Sequence, residues 1–121
     1  MTIKDQSLTK TSSLKEALKK MSLSGNKCLV VTDQKNKFLG TLSDGDLRKA
    51  ILADFDLDSS ITKIFNSNAF YILKEELNLE NLKDIFIEKQ FDIIPILNKN
   101  NSIHKIISWN EIFASKPKKL S

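Results

Sequence analysis

Apolar residues recur along this chain in two blocks that have the same spacing. A shift of 65 positions, without a gap, places Ser43 on Ser108 and Asp46 on Glu111. The same shift superposes Leu14 on Leu79, Met21 on Phe86, Phe38 on Ile103, Leu47 on Ile112, Asn36 on Asn101, and the apolar run 29–31 on 94–96. Periods of this size usually reflect duplicated units that stack because one unit alone buries its hydrophobic face poorly. The pattern therefore predicts two copies of one supersecondary unit.

The first copy has the pattern of a helix, two strands and a second helix. Ser13 and Glu16 have capping-box spacing, and the apolar residues that follow recur at helical intervals until Gly25. This predicts a helix of about ten residues. The remaining elements expected in this copy are strands at 27–32 and 38–42 around a polar turn, a helix from Ser43 to about Ala53, and an acidic connector at 54–60.

The second copy repeats that order after a short apolar turn at 61–65. The elements expected there are an entry strand at 69–72, a helix containing Leu79, Leu82, Ile85 and Phe86, strands at 93–97 and 103–107, and a helix opened by Ser108. We assign residues 1–60 to repeat 1, residues 61–115 to repeat 2, and residues 116–121 to a basic linker or frayed tail. The fold class predicted is α/β of the α+β type, with small sheets packed on helices and the repeats related by a pseudo-two-fold axis.

Composition limits the classes of function. The chain has 121 residues, of which 40% are apolar, enough for one compact domain or two half-domains that share a core. Its net charge of +4 includes Lys116, Lys118 and Lys119, so the rest of the chain carries only +1. A nucleic-acid face requires basic residues clustered on a folded surface, and we expect no nucleic-acid partner.

Cysteine and histidine usage argues against metal and disulfide chemistry. Cys28 is the single cysteine and His104 the single histidine, so neither an intrachain disulfide nor a zinc constellation of recognisable spacing is available.

The first residues lack the apolar stretch of a signal peptide, and the longest apolar runs are about five residues. We expect a soluble, cytoplasmic protein with no membrane partner, no metal and no cofactor.

The segment 40–48, with the sequence GTLSDGDLR, carries the most specific motif. Its pattern is Gly, two positions, Ser, two positions, Asp and an aliphatic residue. The Ser-x-x-acid part is also a helix capping box, which for a single copy is the favoured interpretation, although one serine can cap a helix and also contact a ligand. Because the motif is duplicated in register, a binding role gains weight for the first copy.

This motif, the doubling, the order of elements and the hydrophobic-Pro-hydrophobic stretch 94–96 resemble a tandem CBS domain pair, also called a Bateman module. The resemblance covers nearly the whole chain. It implies a regulatory module, not an enzyme, that binds an adenosine compound such as AMP, ADP, ATP or S-adenosylmethionine between the repeats. It also implies a homodimer formed through the helices and a fused or partner catalytic domain, for which we expect a sugar-phosphate nucleotidyltransferase.

The resemblance assigns residues as well as a fold. The ligand-binding residues that it implies are Ser43, Asp46, Thr41, Gly40, Lys27 and Arg48. A carboxylate accepts hydrogen bonds from both ribose hydroxyls at once, which suits Asp46. A serine at a helix start contacts a phosphate while backbone N–H groups favour its charge, which suits Ser43. Gly40 permits close backbone approach, and Lys27 and Arg48 are the cationic candidates.

The second copy departs from the motif, and we expect its site to be degenerate or to take a different ligand. Lys105 stands at the glycine position, Glu111 replaces the aspartate, and Asp92 stands where repeat 1 has Lys27. The residues of this weaker second site are Ser108, Glu111, Pro95 and Tyr71. Here the capping box is the favoured interpretation of Ser108 and Glu111.

Two other classes of function stay open. In one, the pair has lost binding and only dimerises its parent through apolar helix faces. In the other it is an enzyme, which is the weakest reading because the sequence offers no nucleophile with a nearby base and no paired carboxylate with a histidine.

Overall fold

A computed structural model describes residues 3–113, which fold into two repeats of similar build. Repeat 1 contains strand β1 (Ser7–Thr9), helix α1 (Leu14–Ser24), strands β2 (Cys28–Thr32) and β3 (Phe38–Ser43), and helix α2 (Asp44–Leu52). Repeat 2 contains strand β4 (Ile72–Leu73), helix α3 (Leu79–Lys89), strands β5 (Ile93–Leu97) and β6 (Ile103–Ser108), and helix α4 (Trp109–Phe113). Short 3₁₀ helices lie at Lys4–Gln6, Ile61–Lys63 and Lys74–Glu76. The basic tail predicted at 116–121 lies outside the described residues.

The 65-residue repeat is confirmed by the strand register. Cys28 lies opposite Ser43 in the antiparallel pair β2–β3, and Ile93 lies opposite Ser108 in β5–β6. Each pair continues with the same shift as far as a bulge, which follows Val31 in one copy and Ile96 in the other. The mixed α/β fold class is therefore confirmed, with one three-stranded sheet in each copy.

Left-handed backbone positions repeat with the same shift. Asn36 and Asn101 both have positive φ in the turns between the antiparallel strands. Gly25 and Gln90 both adopt the left-handed conformation that ends α1 and α3, and their backbone N–H groups donate to Met21 and Phe86. The duplicated pattern thus fixes turn geometry as well as hydrophobic burial.

Each copy has one parallel strand that the sequence interpretation missed or misplaced. β1 pairs with β2 and was not predicted, while β4 pairs with β5 but begins at Ile72 instead of residue 69. Leu8 faces Val31 and Ile72 faces Ile96, so these first strands correspond with a shift of 64. One extra residue therefore lies between strand and helix in repeat 2.

The core consists of three hydrophobic clusters. One lies under α1 and α2, one lies under α3 and α4, and the third joins the repeats. Alternate side chains of β2 enter different clusters, with Leu29 and Val31 in the first and Val30 in the joining cluster. Every residue of β2 and β5 is buried, because helices cover one face and the other repeat covers the second.

The turns of the two repeats also contact each other through the backbone. The N–H of Phe38 donates to the carbonyl of Asn101 at 2.9 Å, and Asn101 Nδ2 donates back to the carbonyl of Phe38 at 3.0 Å. Lys37 Nζ donates to the carbonyl of Asn100 at 2.7 Å. These bonds, together with the joining cluster, hold the two repeats against each other.

Candidate clefts between the repeats

Both Ser-x-x-acid motifs form capping boxes. Ser43 Oγ accepts from the N–H of Asp46 at 3.1 Å, and Asp46 Oδ2 accepts from the N–H of Ser43 at 3.0 Å. Ser108 and Glu111 make the equivalent bonds, both at 3.2 Å. The capping interpretation is therefore confirmed in both copies. It leaves binding possible, since the Ser43 hydroxyl accepts here and keeps its own hydrogen to donate.

The cavity that we call cleft A lies beside the first of these motifs. Thr41, Ser43 and Asp46 of repeat 1 face Phe91, Asp92 and Ile93 of repeat 2 across a space of about 240 Å³. β3 and the start of α2 hold the first three, and the segment that enters β5 supplies the others. The structure thus brings together three of the predicted site residues and adds residues that the motif did not include, among them Phe91, Asp92 and Ile93.

Aromatic and acidic side chains give cleft A its character. Phe70 and Phe91, which both line it, stack with ring centroids 5.2 Å apart and planes at 20°. Burial raises the pKa of the Cys28 thiol to about 12, and the negative charges of Asp92, Asp46 and Asp44 add to that rise. Among the described residues that line cleft A, none carries positive charge. The cleft therefore suits a planar ring and hydroxyl donors better than an anion.

Gly40 lies next to cleft A, where the segment that joins α2 to β4, which we call the linker, contacts β3. The backbones of Thr41 and Asn66 exchange two hydrogen bonds, of 3.1 and 2.8 Å. A Cβ at Gly40 would lie 2.9 Å from the Phe65 ring and closer still to the Asn66 carbonyl. The close backbone approach expected at Gly40 is therefore real, but here it is made by the protein's own linker.

Cleft B is the corresponding cavity at the second motif. Gly25 and Asn26 of repeat 1 face Lys105, Ser108 and Glu111 of repeat 2 across about 570 Å³. This is more than twice the volume of cleft A and lies within the usual range of roughly 300–1,000 Å³ for ligand pockets. The eroded motif thus borders the larger cavity, which the sequence did not indicate.

The two cationic candidates of the motif lie away from cleft A. Lys27 lines a cavity of about 220 Å³ beside cleft B, together with Asp92 and Ser108. Its carbonyl accepts from the N–H of Asp44 at the start of α2. Arg48 is exposed on α2 and pairs with Asp44 at 3.4 Å. Neither Lys27 nor Arg48 therefore lines cleft A with Ser43 and Asp46.

The other residues of the predicted second site are dispersed. Pro95 is buried within β5, opposite Ile106. Tyr71 precedes β4 instead of lying on it, and its ring packs on Phe38 with centroids 5.6 Å apart. Neither lines cleft B as the structure has it. The Trp109 ring packs in a tilted arrangement against the Phe113 ring, with centroids 4.4 Å apart.

A third cavity, the α2 groove, adjoins cleft A. It follows α2 past Asp46, Lys49 and Ala53, has Lys63 on its other wall, and measures about 200 Å³. Asp46 is the one residue that lines both the α2 groove and cleft A. No pattern in the sequence indicated this groove, because Lys63 comes from the linker and reaches α2 only in the folded chain.

Two general features of the described chain bear on function. Within residues 3–113, no group of three or more His, Cys, Asp or Glu side chains is arranged to hold a metal ion. No helix in the same range is long and apolar enough to cross a membrane.

Comparison with known proteins agrees with the residue-level interpretation. Residues 1–53 match the model of the CBS domain family. An uncharacterized 17.7 kDa protein from Acidianus ambivalens is 27% identical over 97 residues, which are 80% of this chain and 58% of that protein. The chain thus aligns with little more than half of that curated relative.

Solved structures share the whole fold at low sequence identity. A CBS domain pair/ACT domain protein from Thermotoga maritima is 22% identical with a TM-score of 0.73, covering 94% of each chain. A putative acetoin utilization protein from Vibrio cholerae is 16% identical with a TM-score of 0.80, covering 94% of this chain and 87% of that one. A CBS domain protein from Pyrobaculum aerophilum, complexed with AMP, is 18% identical with a TM-score of 0.73, covering 88% and 82%.

The duplicated register, the two clefts and these matches lead to one assignment. Repeat 1 carries the sequence of a CBS domain, and repeat 2 reproduces its strand register and turns with a different set of side chains. Residues 1–53 thus match the CBS domain family, and the described chain as a whole has the fold of solved CBS domain pairs.

Proposed function

We propose that the chain is a regulatory module that binds an adenosine nucleotide in cleft A and performs no chemistry itself. The observation that carries this proposal is the convergence of Thr41, Ser43 and Asp46 on one cavity between the repeats. The domain limits 1–60 and 61–115, the absence of a cofactor and a cytoplasmic location belong to the same proposal.

Ribose recognition by Asp46 is consistent with its capping role. The cap uses Oδ2, and a carboxylate has about four acceptor positions on its two oxygens. Two vicinal hydroxyls can therefore donate to Asp46 while it still holds the N–H of Ser43. The Ser43 hydroxyl adds a donor at the same place. Phe70 and Phe91 offer apolar ring surface against which a base can pack.

Ligands of other proteins with this fold support an adenosine compound. Structures of the same fold have been solved with AMP, with ATP in the cytosolic domain of the Mg²⁺ channel MgtE, and with c-di-AMP. All three ligands contain adenosine joined to phosphate. Because these proteins are below 20% identical to this chain, they support the class of ligand without identifying it.

Cleft A lies between the repeats, so a ligand there contacts both. Binding favours the arrangement of repeats that gives the better contacts, and an attached or partner enzyme that senses this arrangement is regulated. A sugar-phosphate nucleotidyltransferase remains our proposal for that enzyme.

A second candidate function, dimerisation of a parent protein without binding, is favoured by one observation. Apolar side chains around the end of α2 are exposed, among them Ile51, Leu52 and Leu57. Exposed apolar patches often mark interaction sites. We propose that a second copy covers this surface, whether or not cleft A binds a ligand.

Calorimetric titration tests the proposal. The purified chain is titrated with AMP, ADP, ATP and S-adenosylmethionine, with Asp46→Ala in parallel. We expect saturable binding of at least one ligand by the wild type and its loss in the variant, whose fold is checked by circular dichroism. Silence across the panel in a folded wild type would reject binding and leave the dimerisation function, which sedimentation measures separately.

A further inference from the structure

The charges on the two sides of Asp46 indicate on which side the phosphates of a bound nucleotide lie. Cleft A, on one side of Asp46, carries the carboxylate of Asp92 and no cation among its described lining residues. The α2 groove, on the other side, carries Lys49 and Lys63 and no acidic side chain except Asp46 itself. Negative charge therefore repels a phosphate from cleft A, whereas the two lysines attract it to the α2 groove.

Helix geometry places Lys49 within reach of a ligand held at Asp46. Lys49 follows Asp46 by three residues on α2, so both lie on one face about 4.5 Å apart along the axis. Lys63 approaches the same face from the end of the 3₁₀ helix Ile61–Lys63. The side chains of both lysines are exposed, and neither is in an ion pair among the described residues.

Volume supports the use of both cavities. Cleft A at about 240 Å³ and the α2 groove at about 200 Å³ are each below the roughly 300 Å³ at which ligand pockets usually begin. Either cavity alone is therefore small for a nucleotide, and a ligand held at Asp46, which lines both, can extend into each.

We infer that Lys49 and Lys63 form the phosphate subsite of this module, with the ribose on Asp46 and the base in cleft A. The inference rests on the proposed function and deepens it, since it makes the ligand a phosphorylated nucleoside whose phosphates lie in the α2 groove. Ser43 then serves the ribose and the helix cap, because a phosphate at Ser43 would face Asp92 as well as Asp46.

The test compares adenosine with ADP in four proteins: wild type, Lys49→Ala, Lys63→Ala, and Lys83→Ala as a control. Lys83 is an exposed lysine on α3 in repeat 2, away from every cavity described above. We expect Lys49→Ala and Lys63→Ala each to weaken the affinity for ADP about 3- to 10-fold and to leave the affinity for adenosine unchanged. Lys83→Ala should change the affinity for neither ligand.

Salt provides a second readout. Because the lysines are exposed, salt screens their attraction for a phosphate. Raising the salt concentration from 0.05 to 0.5 M should therefore weaken ADP binding by the wild type and have little effect on ADP binding by the double variant Lys49→Ala/Lys63→Ala. Unchanged ADP affinity in that variant, with adenosine and ADP both bound by the wild type, would overturn the phosphate subsite and leave the proposed function standing. Failure of the wild type to bind either ligand would remove both.

Discussion

Repeat 1 and repeat 2 share the register of their antiparallel strands, but different side chains line their clefts. The antiparallel pairs β2–β3 and β5–β6 match position by position, including the bulge. Yet Gly40, which admits the linker backbone in one copy, corresponds to Lys105, which borders the open space of cleft B in the other. The difference teaches that hydrophobic register maintains the fold in both halves, while a few non-core positions decide what each cleft can accept.

The largest difference between the copies is expected at the glycine position. Gly40→Ala puts a methyl group onto the Asn66 carbonyl and the Phe65 ring, so the linker must move. Overpacking of this kind costs about 1–3 kcal/mol in the free energy of unfolding. Lys105→Ala, at the matched position, is exposed and should stay within about 0.5 kcal/mol of wild type.

Urea unfolding of the two variants measures this difference. Equal losses of stability in Gly40→Ala and Lys105→Ala would mean that the linker does not approach β3 as described. A normal stability of Gly40→Ala would have the same meaning.

A smaller difference is expected where α1 and α3 end. Both end residues are left-handed, but one is Gly25 and the other is Gln90. A side chain in this conformation costs roughly 1 kcal/mol relative to glycine. Gly25→Ala should therefore destabilise the protein and Gln90→Gly should stabilise it, each by about 1 kcal/mol, although Gln90 Nε2 also donates to the carbonyl of Ile87, which reduces the gain.

Thermal unfolding followed by circular dichroism compares these variants. Opposite signs of the two shifts in melting temperature are the expected result. Shifts of the same sign would contradict the matched left-handed ends.

The smallest effect near neutral pH concerns Cys28, whose counterpart in repeat 2 is Ile93. Burial, and then the nearby carboxylates led by Asp92, raise the pKa of the thiol in the folded protein to about 12. The unfolded chain ionises near the ordinary value, so this contribution to stability is complete below pH 8.5 and declines as the pH rises toward 12. Cys28→Ala should remove that part of the decline, because its side chain does not titrate.

Stability measured between pH 7.5 and 10.5 tests this expectation. The wild type should lose more stability over that range than Cys28→Ala. A thiol in the native protein that reacts with alkylating reagents at pH 8.5 as fast as a free cysteine would contradict the raised pKa.

Local patterns were sufficient to predict most of the fold. Helix caps, turn residues and alternating burial are determined within a few positions, which is why α1, β2, β3 and β5 lie close to where the sequence placed them. β1 escaped prediction because it is three residues long, has one apolar side chain, and is stabilised by parallel pairing with β2 twenty-three positions away. A short strand of this kind has no local pattern to recognise.

The site was predictable only in part, for a related reason. Ser43 and Asp46 belong to one local motif, so their proximity follows from the helix start. Asp92 and Phe91 reach cleft A from the other repeat, and Asn66 reaches Gly40 from the linker. Contacts between repeats depend on how two units dock, which the spacing within one unit does not encode. For that reason Lys27 was expected in the cleft of Ser43, although it lines a different cavity, together with Asp92 and Ser108.

The central claim is that cleft A, and not cleft B, is the nucleotide site. Titration of one adenosine nucleotide into Asp46→Ala and Glu111→Ala tests it directly, since both substitutions remove the acidic residue of a capping box and should lose similar helix-cap energy. The account predicts loss of at least about 30-fold in affinity for Asp46→Ala, from two charge-assisted hydrogen bonds, and less than about 3-fold for Glu111→Ala. Strong loss in Glu111→Ala with full binding by Asp46→Ala would place the ligand in cleft B and contradict the account.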